Sequence, residues 1–209
     1  MNMIEKYTFE CLSNPNDYRE VIELIYATDP YIYSDLFGSL ENAYRVLYHS
    51  FDNPQCVFHK SAVFIVRANE EVVGVALYHP NNFPWKQNAI LEDFEKADLL
   101  PQPSFYSASE YMDKTYNYRK LGYSMCNVSV RDTYHRKGVA SFLLKNLLRL
   151  APNQVVELTV LADNVAAIKL YEKFGFQIVG NKFKDYGGHN LPPVDCYKMV
   201  LNGKAIGID

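Results

Sequence analysis

Between Tyr123 and Ala140 the chain reads YSMCNVSVRDTYHRKGVA, and three kinds of local structure follow one another in those residues. Tyr123, Met125, Cys126, Val128 and Val130 predict a strand, and Arg131 to Lys137 form a polar turn after it. Gly138, Val139 and Ala140 then open a helix expected to reach about Leu150. Its buried face is marked by Ala140, Leu143, Leu144, Leu147 and Leu148 at i, i+3, i+4, i+7 and i+8. A strand, a turn and a helix N-terminus in this order make an anion site. The first-turn amides have no partner inside the helix, and the helix dipole is positive at that end. Gly138 lets a ligand approach the backbone, Ala140 is small for the same reason, and Arg136 and Lys137 add mobile positive charge. A buried strand-turn-helix with a basic turn in solvent shares this pattern, so the stretch alone does not choose a ligand.

On the C-terminal side, VVELTVLA (Val155 to Ala162) is rich in β-branched residues and predicts a strand. Asn164 is placed to cap a helix over Val165 to Phe174, with Gly175 as its C′ residue and Phe176 as the apolar residue after it. Phe176 to Asn181 and Pro193 to Leu201 predict two closing strands, joined through Lys184 to Leu191 with Gly187-Gly188. On the N-terminal side, Ser61 to Arg67 and Val72 to His79 predict a pair of strands. Lys6 to Ser13 predicts a first strand. Asp17 begins a helix that ends near Asp29-Pro30, Leu40 to Phe51 is a second helix, and the Tyr-rich YIYSDLFGS between them reads either as an aromatic connection or as one wall of an acceptor pocket. Residues 81 to 121 hold helix-like pieces around Asn88 to Ala97 and Ser107 to Tyr118, separated by Pro101 and Pro103. A span of that length is read as an ordered insertion serving as a lid. The resulting order, β-α-α-β-β-(insertion)-β-α-β-α-β-β, predicts an α/β fold with a mixed sheet flanked by helices.

With 209 residues the chain fits one domain, residues 1–209, able to bury a full core. A net charge of −3 argues against a general nucleic-acid binder. Seventeen Tyr and 12 Phe give rings with which to line a cleft. Cys11, Cys56, Cys126 and Cys196 lack CxxC or metal-ligand spacing, so no metal is expected. MNMIEKYTFE holds no apolar core of signal-peptide length, and no apolar run is long enough to span a membrane. A cytoplasmic protein with free thiols, monomeric or homodimeric, is the expectation.

HRKGVA (His135 to Ala140) resembles the acetyl-CoA pyrophosphate loop of the GNAT superfamily of N-acetyltransferases, Gln/Arg-x-x-Gly-x-Gly/Ala. Gly138 and Ala140 match, while His135 departs from the Gln/Arg position. NVAAIKLYEKFGF (Asn164 to Phe176) resembles the second half of that signature, and the two occur in the family's order. The resemblance covers roughly residues 61 to 201 and implies a mostly antiparallel sheet of six to seven strands. It implies acetyl-CoA as co-substrate, with the loop His135, Arg136, Lys137, Gly138, Val139, Ala140 and Ser141 on the pyrophosphate. Val128, Ser129 and Val130 would pair with pantetheine as an added strand does, beside a bulge in that strand. Asn164 would contact the pantetheine arm, and Tyr171 would stand near the sulfur.

By the same resemblance, an amine attacks the thioester directly, and an exposed amide near Val128 stabilises charge on its oxygen. Tyr171 protonates the leaving thiolate. With reference values of about 10 for a phenol and about 8.5 for a thiol, that transfer is uphill by roughly 2 kcal/mol. The same ring also fits as packing beside Ala167 and Phe174. For the base that deprotonates the amine, Glu110, Asp113, Asp35 and His79 are candidates, as is a water relay. Cys126 reads as a small buried hydrophobe. The acceptor is a small-molecule or peptide amine. A catalytically silent CoA-binding regulator, or an interaction module, is the alternative reading.

Overall fold

The computed structural model describes residues 7–83, 86, 88–116, 122–185 and 193–203, with the backbone alone for 111–116. In chain order the elements are β1 Tyr7–Cys11, α1 Tyr18–Tyr26, α2 Pro30–Phe37, α3 Leu40–Ser50, β2 Val63–Ala68, β3 Glu71–Pro80, α4 Ala89–Lys96 and α5 Pro103–Tyr116. They continue with β4 Tyr123–Val130, α6 Val139–Leu150, β5 Val156–Leu161, α7 Val165–Lys173, β6 Gln177–Asp185 and β7 Val194–Leu201. The strands form one seven-stranded sheet in the order β1-β2-β3-β4-β5-β7-β6. Every pairing is antiparallel except that of β4 with β5. This is the mixed, mostly antiparallel sheet expected from the sequence.

β3 is apolar almost throughout because it is covered on both faces. Val72, Val75 and Leu77 join one core, built with residues of α1 to α5. Val73, Ala76 and Tyr78 join the other, with α6 and α7. Within α6, Leu143, Leu144, Leu147 and Leu148 are buried as their spacing predicts. Ala140 is only partly covered, and lies where the helix begins. Asn164 caps α7 by accepting from the Ala167 amide at 3.1 Å. At its other end the Gly175 amide donates to Glu172 and the Phe176 amide to Tyr171, and the rings of Tyr171 and Phe176 meet edge to face.

Two expectations are corrected. YIYSDLFGS is a helix, α2, and not a connection. Asp29 accepts from the Ile32 amide at 3.1 Å, Pro30 takes the first turn, and Gly38 closes the helix. The insertion is not a lid in its described part. Ala89, Phe94, Phe105 and Ala108 are buried in the first core, and α5 begins at Pro103, which opens the helix where it was read as a separator. β6 runs on to Asp185, so the start of the expected loop is strand, and residues 186–191 of it lie outside the described residues.

β4 and β5 pair only at Tyr123↔Val156 and Ser124↔Glu157, supported by Tyr123 N–H to the Val155 carbonyl at 2.8 Å. Gly122 precedes this junction with φ +107°, and a Cβ there would lie 2.6 Å from the Val155 carbonyl oxygen. Gly122→Ala is therefore expected to cost at least about 2 kcal/mol, from a disfavoured backbone conformation plus a clash with backbone. Thermal unfolding should show the melting temperature lowered by roughly 4–8 °C. An unchanged melting temperature would mean that the junction tolerates a side chain.

Candidate active site

Past Ser124 the two central strands separate, and a bulge in β4 is the cause. The register with β3 passes from Leu77↔Cys126 to Val75↔Ser129, so Asn127 and Val128 together oppose Ala76. Asn127 has φ +53°, a left-handed conformation that Asn tolerates better than most residues. Its side-chain amide donates to Thr28 Oγ1 at 2.7 Å and to the Tyr33 hydroxyl at 2.5 Å. The loop before α2, and α2 itself, thus hold the bulge from the opposite face.

The strand beyond the bulge presents an unpaired edge to the gap. Arg131 N–H donates to the Val73 carbonyl on β3, at 3.0 Å. Ser129, in register with Val75 two residues earlier, turns its amide to the same side, into the β3 ladder. This corrects the expectation for Ser129: strand alternation leaves Val128 and Val130 facing the gap and turns Ser129 away. His135 Nε2 lies 2.8 Å from the Val130 carbonyl, which can only accept, so that nitrogen carries the proton. The departure from Gln/Arg at this position places a ring against the last residue of the strand.

Two cavities open from the gap. One, of about 420 Å³, lies between the edge of β4 and the start of α6, lined by Val130, Tyr134, His135, Arg136, Gly138 and Ser141 among others. Val139 and Ala140 line it as well. Arg136 at φ +60° and Gly138 at φ +89° wrap the loop so that α6 begins with no side-chain cap, its first internal bond running from Phe142 N–H to the Gly138 carbonyl. A Cβ on Gly138 would meet nothing within 4 Å, so space stands open at Gly138, and Val139, Ala140 and Ser141 of the uncapped first turn line the same cavity. That is an anion cradle, and it fits a pyrophosphate. Arg131 takes no part, being bound to Glu20 and Glu71 at 3.1 Å each. Lys137 lies over the Tyr134 ring, 4.9 Å from its centroid, at the rim and outside the lining.

The second cavity, of about 260 Å³, lies toward α2 and the sheet's far strands, and Asn164 lines it. Cys126 also lines it, half-buried, and so is not simply a packing residue. Val128, Ala167 and Tyr171 line both cavities. Tyr171 is buried, and that burial, with a smaller effect of Cys126, pushes its hydroxyl up to about 12. None of Asp35, Glu110 and His79 lines either cavity, and the Asp113 side chain lies outside the described residues. The carboxylates that do are Asp29 and Asp185, neither singled out from the sequence. The DP pair of a helix N-terminus signalled the position of Asp29, whereas nothing local marks Asp185.

Among the described residues no group of three or more His, Cys, Asp and Glu side chains is arranged to hold a metal ion. No described helix is long and apolar enough to cross a membrane.

The same gap, loop and tyrosine fall inside a sequence match to the acetyltransferase (GNAT) family over residues 25–176. The L-amino acid N-acetyltransferase AaaT of Escherichia coli (strain K12) is 38% identical over 77 residues, 35% of this chain and 47% of that protein. The chain thus spans about half the length of that relative. The crystal structure of an N-acetyltransferase from Staphylococcus aureus Mu50 aligns over 93% of this chain and 100% of its own, with a TM-score of 0.63 and 17% identity. The Salmonella typhimurium protein yncA, solved with its cofactor acetyl-CoA, aligns over 96% of each chain with a TM-score of 0.54 and 15% identity. A sheet split at β4 and β5, an uncapped helix behind the split and a family match across most of the length agree: this chain belongs to the acetyltransferase (GNAT) family.

Proposed function

We propose that this chain is an acetyl-CoA-dependent N-acetyltransferase that moves an acetyl group to a primary amine by direct attack on the thioester. The observation that carries the reading is the position of Tyr171, a wall common to the cradle that suits pyrophosphate and to the second cavity. A silent CoA-binding module has no need of a buried hydroxyl at the junction of two cavities. The name of the Escherichia coli relative and the acetyl-CoA bound to yncA point the same way.

In this reading the loop from His135 to Ser141 binds the pyrophosphate through the Val139, Ala140 and Ser141 amides, with Arg136 beside them. The edge of β4 at Val128 and Val130 aligns the pantetheine, and Asn164, whose carbonyl oxygen caps α7, keeps its NH2 as a donor toward it. The Val128 amide stabilises negative charge on the thioester oxygen as nitrogen bonds to the carbonyl carbon and the bond to sulfur breaks. An ammonium nitrogen gives up two protons over the reaction: one reaches the sulfur and the other leaves to solvent.

Tyr171 supplies the proton to sulfur. A hydroxyl near 12 looks too weak an acid for a thiol of about 8.5. Burial, however, opposes a thiolate as it opposes a phenolate. The buried thiols of Cys56 and Cys196 in this same protein are each pushed up to about 12, chiefly by loss of solvent. A sulfur held equally far from water is thereby matched to Tyr171, and the transfer becomes close to even.

Gly138→Glu should abolish acetyl-CoA binding, measured by calorimetry, while the fold survives: the side chain enters open space and places an anion in the cradle, and the left-handed backbone at φ +89° costs about 1–2 kcal/mol. The parent should gain roughly 2.7 kcal/mol of stability at acetyl-CoA about a hundredfold above its dissociation constant. Undiminished binding by the variant would move the phosphate site elsewhere.

Tyr171→Phe should leave acetyl-CoA affinity nearly unchanged and lower single-turnover acetyl transfer by roughly 10²-fold. With the folded-state hydroxyl near 12, the parent holds this proton throughout the neutral range. The ratio of parent to variant rates should therefore stay constant from about pH 7 to about pH 9, and shrink only as the phenol ionises above that. A Phe variant at full speed would remove Tyr171 from the mechanism.

A further inference from the structure

The bulge that opens the cleft is held by a residue that carries two costs. Asn127 sits at φ +53°, a conformation that glycine would adopt without strain. Its Oδ1 is buried and finds no hydrogen-bond partner among the described residues. What the side chain adds is a tie, since Nδ2 donates to Thr28 Oγ1 at 2.7 Å and to the Tyr33 hydroxyl at 2.5 Å. The partners fix which way the amide faces. Thr28 gives its own proton to the Ile25 carbonyl at 2.6 Å, so toward Asn127 it can only accept.

The anchor on α2 is itself rigid. Tyr33 is buried against the rings of Tyr26, Phe37 and Phe58, with centroids 6.0, 6.2 and 6.3 Å away. Burial raises its hydroxyl, which therefore stays neutral. Thr28, Tyr33 and Asn127 all line the cavity toward α2, and so does Val128. The Val128 N–H belongs to the planar peptide group that begins at the Asn127 carbonyl. A turn about the Asn127 Cα–C bond swings that N–H directly. With the Asn127 side chain tied to Thr28 and Tyr33, the same turn strains two hydrogen bonds.

We propose that Asn127 is a positioning residue for acetyl transfer: tied to Thr28 and Tyr33, it holds the Val128 amide aimed at the thioester oxygen. The proposal rests on the reading of Val128 as the donor that stabilises negative charge on that oxygen, and it names what aims the donor. A hydrogen bond weakens steeply as its angle leaves the line, so a modest rotation is enough to lose it. A donor of this kind accelerates transfer only when it is fixed in place beforehand. The cradle at the start of α6 is lined by none of Thr28, Tyr33 and Asn127. Polarisation of the thioester and affinity for the cofactor therefore separate.

The carbonyl stretch of acetyl-CoA, isotope-labelled at the thioester carbon, reads the hydrogen bond donated to its oxygen and needs no acceptor. Difference infrared spectra of the parent should place this band at lower wavenumber than in free acetyl-CoA. Asn127→Gly keeps the backbone conformation accessible and removes the tie. Its band should return most of the way to the free position, while affinity measured by calorimetry falls by less than about threefold. Tyr33→Phe keeps the ring, removes one acceptor and should move the band the same way by less. The double variant should match Asn127→Gly alone, because both changes cut one tie. A structural role alone lowers the melting temperature and leaves the band where the parent has it. That result, shifts that add in the double variant, or an affinity loss of about tenfold or more in step with the band would each overturn the proposal. If Asn127→Gly does not fold, Tyr33→Phe decides: the parent's band position in that variant overturns the proposal. A parent that binds acetyl-CoA with an undisplaced band would overturn the reading of Val128 as the donor, and failure to bind acetyl-CoA would overturn the transfer reading itself.

Discussion

The Asn127 side chain, bonded to Thr28 and Tyr33 through the loop before α2, is the constraint on which the cleft depends. An Asn in a left-handed conformation is strained by an amount comparable to one good hydrogen bond, and here two such bonds oppose the strain. Were the bulge absent, β4 would continue in register beside β5, and the edge at Val128 and Val130 would close as ordinary sheet. The separation makes the cavity behind α6 and the cavity toward α2 meet across one strand edge. It also brings Tyr171, from a helix on one face, within reach of groups carried by helices on the other. The same Asn ties the expected acyl-donor edge to the helix whose cap lines the acceptor side.

Burial then does two things at once in this cleft. It weakens Tyr171 as an acid, which taken alone argues against its role. It weakens buried thiols as well, since Cys56 and Cys196 are likewise pushed up to about 12, and a cofactor sulfur held as far from water would be weakened in the same direction. Reference values compare two groups in water, whereas the proposed transfer compares two groups outside it. Charge is placed unevenly along the cleft. Among the described residues, the cavity behind α6 is lined by Arg136 and by no carboxylate, the cavity toward α2 by Asp29 and Asp185.

What the sequence made legible was local. The periodicity of α6, the cap at Asn164 and the closing Gly175-Phe176 pair depend on residues within a turn or two of one another. So does the loop at Gly138, and the family resemblance rested on those stretches. The helix α2 escaped because its aromatic run lacks a clean apolar stripe, although Asp29-Pro30 was a legible start. The carboxylates escaped for a different reason. Asp29 and Asp185 are more than 150 positions apart and reach one cavity only through the fold, Asp29 from the start of α2 and Asp185 from the end of β6. Acidic residues chosen for proximity to the insertion and to strand ends had no such basis, and the cavity does not include them. Ser129 erred on a finer scale, since its orientation follows from whether its register partner on β3 bonds to it.

The insertion acquires a physical role from the same geometry. Its helix α5 packs on α2, with Ser104 Oγ–H donating to the Asp35 carbonyl at 2.9 Å and Gln102 lying against Gly38. Its helix α4 packs on α3 around a buried Asp93, which accepts from Ser50 Oγ at 2.8 Å and Asn53 Nδ2 at 3.0 Å. α2 carries Tyr33, a bond partner of the bulge, and begins at Asp29, a wall of the acidic cavity. A helix of eight residues is too short to hold its own shape in water, so its position must come from what it packs against. Phe37 stacks on Phe94, and Phe94 meets Phe105 edge to face, which links α2 to both inserted helices in one row of rings. The inserted segment therefore fixes the wall of the cleft from behind, and Asp29 and Tyr33 stand where that packing puts them.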